Sequence, residues 1–341
     1  MLRKNLSTLF RYWPLILLVG CSQQPLEFHG PTMGTSYTVK ISSVLNSIPK
    51  AELSQHIAAI LEQLYTQMTT YSTTSEVSRF SASHSTDWFS VSPDVCKVVA
   101  EAQRISRLSY GAFDITVAPI VNLWGFGPAP QRTTPPSTKE IQIALHQIGY
   151  EHLYTRCEQP GLPPALRKDQ PDIAIDLSAI DQGYAADRVA DYLDSLQIEN
   201  YLVDVGGEMR GRGVNSHGVP WHIGIEQPTI EPGQVERTIQ IKDCAIATSG
   251  TYRNFFAANG KHYAHIIDPH TGAPITHSLV SVTIIAHSAT IADALTTAVL
   301  VLGPERGFEL VMREKLAALL IVQQGNQFIE KATPNLASYL L

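Results

Sequence analysis

The stretch from Ser278 to Gly303 leaves this chain few folds to choose from. SLVSVTIIA, 278–286, has the pattern of a buried strand, and ATIADALTTAVLVLG, 289–303, repeats Ile291, Leu295, Ala298 and Leu302 along one side of a helix. The strand has to pair within a sheet, and the helix has to lie on a core. Asp293 and Thr297 stand i and i+4 on that helix, so their oxygens project from one face a turn apart. Oxygen ligands of this kind suit a hard cation such as magnesium, whereas zinc prefers nitrogen or sulfur. Taken alone, such a pair is more often structural, with Asp293 favouring the helix dipole and Thr297 filling core space.

Upstream, GTSYTVKISSV, 34–44, alternates Tyr37, Val39 and Ile41 against Thr38 and Lys40, the period of a half-buried strand. Leu53, Ile57, Ile60, Leu61 and Leu64 predict a helix over 51–68, and Ser92 with Pro93 opens a second one through Leu108. IAIDL, 173–177, reads as a buried strand feeding a helix over 183–197 through the short loop Ser178 to Gln182. A strand-to-helix junction of this kind exposes N–H groups that can receive phosphate. YLVDVGGEMRGRG, 201–213, lacks the glycine spacing of a dinucleotide site. The Pro-rich breaks at 128–138 and 158–171 read as surface loops, and the segment between them is too short for its own core.

The N-terminus is of another kind. Arg3, Lys4 and Arg11 precede the apolar run PLILLVG, which is too short to span a bilayer and reads as a secretion signal over 1–20. Its end, Leu18 to Cys21, resembles the lipobox of bacterial lipoproteins. That resemblance implies lipidation of Cys21, a tether over 21–27, and a membrane-anchored protein facing the periplasm. Ser22, where inner-membrane retention would want Asp, points to the outer membrane rather than the inner. With a net charge of -6 and no basic run, nucleic acid is excluded as a partner. Cys96, Cys157 and Cys244 have no zinc spacing and allow at most one disulfide.

HIIDPHTG, 265–272, sets His265 and Asp268 ahead of a turn enforced by Pro269 and Gly272. Asp268 is placed to cap that turn. Trp124 reads as a packing aromatic, and Tyr71, in a polar loop with no helical face to fill, as a stacking residue. His29, His56, His84, His146, His152 and His217 fall in no motif and read as surface or packing residues.

The segments TMGT (32–35), SEVSRF (75–80), GAFDITVAPIVNLWGFG (111–127), IDLSAIDQGYAAD (175–187), ATSGTYRNFF (247–256), HIIDPHTGAPI (265–275) and ADALTTAVLVLG (292–303) together resemble, in order, the motif set of the ApbE family. The resemblance implies an α+β fold, a two-lobed single catalytic domain over 28–341 with mixed or antiparallel sheets and packed helices. It also implies a magnesium-dependent FAD:protein FMN transferase. Such an enzyme splits FAD, attaches FMN to a Thr or Ser hydroxyl of a target protein and releases AMP. The targets implied are extracytoplasmic subunits of redox complexes such as sodium-pumping NADH:quinone reductase or Rnf. Carried onto this chain, Asp293, Thr297 and the carbonyl of Ala179 match the metal ligands. Met33, Tyr71, Ala112, Phe113, Asp114, Asp176, Gln182 and the backbone near Ile267 match positions that hold FAD. His265 is the expected general base. Two departures stand out: Gln182 where members often carry Lys or Glu, and Thr296 where some carry a further Asp. The alternatives are an FAD pyrophosphatase yielding FMN and AMP, and a non-catalytic flavin-binding lipoprotein.

Overall fold

Period-two burial builds the central sheet. In β2 (Thr35–Ile41) the side chains of Tyr37, Val39 and Ile41 join Tyr201, Val203 and Val205 of β6 (Tyr201–Val205) on one face, while Leu202 turns to the other. The computed structural model describes residues 25–42, 48–128, 132, 134–229, 235–252, 255–258 and 261–341. The expected signal segment and the lipidation residue Cys21 lie outside these residues. The fold is α+β. Its main sheet has eight strands in the order β1-β2-β6-β7-β10-β15-β16-β17, with all neighbours antiparallel. The remaining members are β1 (Leu26–Thr32), β7 (Glu208–Arg212), β10 (Cys244–Gly250), β15 (Leu279–Ala286), β16 (Ala317–Gln324) and β17 (Gln327–Ala332). Pairing in β1 begins at Leu26, so the last residues of the expected tether are already part of the sheet.

One face of the sheet packs under α1 (Lys50–Met68), α3 (Pro93–Leu108), α6 (Asp181–Ser195) and α7 (Ala289–Arg313). The other packs under the hairpin of β8 (Trp221–Glu226) and β9 (Val235–Ile241). A smaller apolar cluster joins α4 (Ala118–Trp124) and α5 (Thr138–Leu145) to the short hairpin of β13 (Ile267–Asp268) and β14 (Ala273–Pro274). A further hairpin pairs β11 (Phe255–Ala258) with β12 (Lys261–Ala264).

The helices expected over 51–68, from Pro93 and over 183–197 are present, and Ser92 Oγ accepts from the Val95 amide as a cap should. SEVSRF forms an additional helix, α2 (Glu76–Ala82), capped by Ser75, which accepts from the Ser78 amide at 3.0 Å. α7 outruns its expected end: Gly303 takes φ +81 and the helix resumes through Pro304, which has no N–H for the Leu300 carbonyl.

Two expectations are corrected. IAIDL buries Ile173, Ile175 and Leu177 as a strand would, yet it joins no sheet. Its backbone is met by single bonds: the Ile175 amide donates to Ser81 Oγ, the Asp176 amide to the Ile115 carbonyl, and Lys168 Nζ to the Ile173 carbonyl. Alternation reports burial of a face and carries no information about a ladder partner. The second Pro-rich break is not all surface loop either. It holds β5 (Ala165–Lys168), the middle of a three-stranded sheet with β3 (Phe89–Ser90) and β4 (Leu153–Arg156). Ala165, Leu166 and Lys168 have no exposed surface. Among the described residues no carboxylate pairs with the buried Lys168; desolvation pulls its pKa down to about 8 while two carbonyls hold the ammonium.

Cys96 of α3 and Cys157, just past β4, form a disulfide closing a loop of sequence separation 61, and Cys244 is free and buried. A loop of that size restricts the unfolded chain by about 4 kcal/mol. The Cys96→Ser, Cys157→Ser protein is therefore expected to melt several degrees below the wild type in calorimetry. Reductant should lower the wild type to the same value and leave the double variant unmoved.

Candidate active site

The β1–β2 and β6–β7 turns lie at the same end of the main sheet, because β2 pairs with β6. The first is the two-residue turn Met33–Gly34, both residues at positive φ (46 and 72), which swings Met33 out of the strand pattern. The second is Gly206–Gly207, at φ 70 and 112, and the Gly206 amide ties it to the Ser36 carbonyl at 3.0 Å. Gln182, in the first turn of α6, lays its Oε1 so close to Gly206 that a Cβ there would overlap it, with Thr35 Cγ2 3.1 Å from the same point. Met33, Gln182 and the Gly206 turn are thereby drawn together.

Asp176 holds the loop leading into α6, its Oδ1 accepting from the Ser178 amide at 2.9 Å. Gly183 stands in the first turn of α6, where helix geometry leaves the amides without an intrahelical acceptor, and it donates to Asp293 Oδ2 at 3.0 Å. Ala179 lies just before the N-cap Ile180, and among the described residues no hydrogen bond reaches its carbonyl. Only glycine permits this approach: a Cβ on Gly183 would overlap the Ala289 carbonyl oxygen and stand 2.8 Å from Asp293 Cβ. Gly183→Ala is expected to force α6 from α7 at a cost of about 1–3 kcal/mol. Thermal unfolding would read that loss, and magnesium binding should weaken with it.

α7 is seated by Asp187, a residue to which sequence reasoning gave no role. Its carboxylate accepts from Ser288 Oγ (2.6 Å), the amides of Ala289 (3.0 Å) and Thr290 (2.9 Å), Thr290 Oγ1 (2.6 Å) and Arg210 (2.9 Å). This satisfies the open N–H groups of the helix start and fixes Asp293 one turn on. Asp293 is 5% exposed, and burial raises its carboxyl to about 7 against the Gly183 hydrogen bond, which lowers it. Thr297 is half-buried and partly open, with no hydrogen bond to its hydroxyl among the described residues. Thr296, by contrast, is fully buried and committed: its hydroxyl donates to the Asp293 carbonyl at 2.6 Å and lies 2.8 Å from Ser249 Oγ.

Two carboxyls that sequence reasoning passed over share this corner. Burial pushes Asp181 well above the usual carboxylate range, with Asp293 and Asp176 adding to the effect. Glu208, at the start of β7, is raised likewise by burial and then by Asp293. The only signal in the sequence was an acid directly after a Gly-Gly pair. Carboxyls gathered in a buried corner, beside a carbonyl that among the described residues has no donor and an open hydroxyl, suit a hard cation. Among the described residues no three His, Cys, Asp or Glu side chains are grouped closely enough to hold an ion by themselves. Such a set has to be completed by backbone, water or substrate oxygens, as is usual for magnesium.

The remaining expected residues sit on loops laced to this corner. Tyr71 is 71% exposed between α1 and α2. Ala112 and Phe113 are buried, and both oxygens of Asp114 are spent on the chain itself. Oδ1 accepts from the Thr116 amide and hydroxyl, and Oδ2 from the Tyr150 amide. Burial still lifts that carboxyl to about 6. Asp114 thus anchors its loop, and what the triplet can present to a ligand is backbone. His270 Nε2 donates to the Tyr110 carbonyl at 3.1 Å, joining the HIIDPHTG segment to this loop, and the Asp176–Ile115 bond joins the loop to the start of α6.

Within HIIDPHTG, Asp268 caps the turn: its Oδ1 accepts from the His270 amide at 2.9 Å and its carbonyl from Gly272 at 2.8 Å. Ile267 is buried, so only its backbone is available to a ligand. His265 is half-buried, its ring edge-on to Phe126 with centroids 6.5 Å apart. Trp124 is 4% exposed and gives its indole N–H to the Gly272 carbonyl at 2.8 Å, which makes it a packing residue of this lobe. Two surface cavities of about 680 and 880 Å³ are lined by none of the expected residues.

The model of the ApbE family matches residues 33–320. A FAD:protein FMN transferase of Vibrio cholerae is 42% identical over 328 residues, 96% of each chain. That of Escherichia coli K12 is 40% identical over 336 residues, 96% of this chain and 95% of the relative. Among solved structures, the flavin transferase ApbE from Vibrio cholerae superposes with a TM-score of 0.85 at 41% identity, covering 93% of this chain and 99% of that one. The apo flavinyl transferase ApbE of Pseudomonas stutzeri gives 0.83 at 36% identity, covering 93% and 97%.

Proposed function

Because the chain belongs to the ApbE family and is a flavin transferase, we propose that it moves FMN from FAD to a Thr or Ser hydroxyl of a target protein, with magnesium, releasing AMP. The observation that carries the magnesium part is the corner where Gly183 holds the buried Asp293 and where, among the described residues, the Ala179 carbonyl has no donor. Asp293, Thr297 and that carbonyl would hold the ion. When bound, it would withdraw charge from the diphosphate oxygens and so favour in-line displacement.

The chain's own residues supply the rest. Met33, Gln182 and the Asp176 loop line the end of the sheet where FAD would lie, with exposed Tyr71 available to stack on a ring. His265 accepts the proton of the incoming hydroxyl as its oxygen bonds to the FMN phosphorus. The bond to the AMP phosphate breaks, and AMP leaves with the bridging oxygen. Gln182 contributes a neutral amide only.

The N-terminal segment supports an enzyme anchored through Cys21 and facing the periplasm, on the outer membrane, with its catalytic domain over 28–341. The Cys96–Cys157 disulfide is in keeping with an oxidising compartment. The acceptors would be extracytoplasmic redox subunits, such as those of sodium-pumping NADH:quinone reductase or Rnf complexes. Incubation with FAD, magnesium and an acceptor peptide tests the reading: flavin covalently attached to the peptide supports it. Free FMN with no labelled peptide would make the chain a pyrophosphatase, and unchanged FAD a carrier.

A further inference from the structure

We propose that Glu208 is a further acidic residue of the cation site, acting beside Asp293 on the opposite side of the first turn of α6. This rests on the reading of Asp293 as a metal ligand. Glu208 is 7% exposed, and its Oε2 is buried and has no hydrogen-bond partner among the described residues. A buried carboxyl oxygen in that condition is rare in a folded protein and calls for a ligand.

The placement says which kind. Glu208 follows the Gly206–Gly207 turn, against which Gln182 packs, and the next residue, Gly183, is bonded to Asp293. One turn of α6 therefore touches the Glu208 turn on one side and Asp293 on the other. The charges acting on Glu208 are Asp293, then Asp204 and Asp181, all negative. Neither arginine of β7 relieves them, since Arg210 pairs with Asp187 at 2.9 Å and Arg212 with Asp194 at 2.7 Å. A buried acid among acids, with the nearby cations committed elsewhere, is matched by a divalent ion and poorly matched by an anion or a neutral group. Carboxylates outside the direct ligand set commonly set a site's affinity in this way.

The test uses the full-length protein freed of metal, titrated with MgCl2 alone and again after saturation with FAD, comparing wild type, Glu208→Gln and Asp293→Asn. The amide keeps the size of the side chain and removes its charge. Magnesium binding is expected to weaken about 10-fold or more in Glu208→Gln, while FAD binding without metal stays within twofold. Without metal, the variant should melt at or above the wild-type temperature, and added magnesium should raise that temperature by less than in the wild type. A role confined to packing would move neither difference. If Asp293→Asn loses magnesium and Glu208→Gln binds it as tightly as wild type, the inference is overturned and the proposed function stands. If neither variant loses affinity, the reading of Asp293 falls, and this inference with it. A Glu208→Gln protein that fails to fold overturns it too, because the carboxylate would then be needed by the fold itself.

Discussion

Asp293→Asn is expected to lower magnesium-dependent flavin transfer by on the order of 100-fold or more, the scale on which removing one electrostatic contact to a transferring group is felt. The asparagine keeps the shape of the side chain and can still accept from the Gly183 amide, so α6 and α7 should remain packed. What disappears is the buried acid of the proposed cation site. The effect should appear as a requirement for far more magnesium and as a lower maximal rate, with FAD binding retained in part. A pH signature accompanies it. Burial raises the Asp293 carboxyl to about 7, above its unfolded value near 4. Its contribution to the stability of the metal-free protein is therefore present below about pH 4 and is lost as pH rises through about 7. Denaturant titrations of metal-free protein at pH 5 and pH 8 should differ less in the variant than in the wild type. Normal turnover of the variant at limiting magnesium would show that the cation is held elsewhere.

His265→Ala is expected to keep FAD binding and to reduce FMN transfer by roughly 100-fold to 10,000-fold, the usual worth of a positioned base. The imidazole stands in the segment that Asp268 caps and that His270 fastens to the Tyr110 loop, so its loss should leave that turn intact. The wild-type rate should climb as pH rises through about 6 to 7, where an ordinary imidazole gives up its proton, and the variant should lack that limb. A single-turnover assay with bound FAD separates the outcomes. Transfer at near wild-type rate removes the base assignment, and failure through lost FAD binding makes His265 a cofactor residue.

Much of the fold was legible because the hydrophobic pattern speaks directly about faces. Tyr37, Val39 and Ile41 announced β2, the spacing from Leu53 to Leu64 announced α1, and Ser92-Pro93 announced the start of α3. The pattern failed where a buried face is not part of a ladder, as at Ile173 to Leu177, and where prolines disguised a short central strand at Ala165 to Lys168. The i and i+4 pairing of Asp293 with Thr297 was readable for the same reason, since helical geometry decides it locally. So was the capping role of Asp268, which depends on residues two to four places away.

The ordered motifs from Thr32 to Gly303 were enough to determine the family and the reaction class. They could not determine which carboxyls share one buried volume. Asp187 reaches across to the start of α7, Gly183 gives its amide to Asp293, and Glu208 enters the same corner from another strand. These meetings join residues about a hundred positions apart, or belong to different elements altogether, and no local spacing encodes them. Burial, desolvation and close approach are properties of the assembled packing, and only the tertiary structure decided which acids were left without a partner.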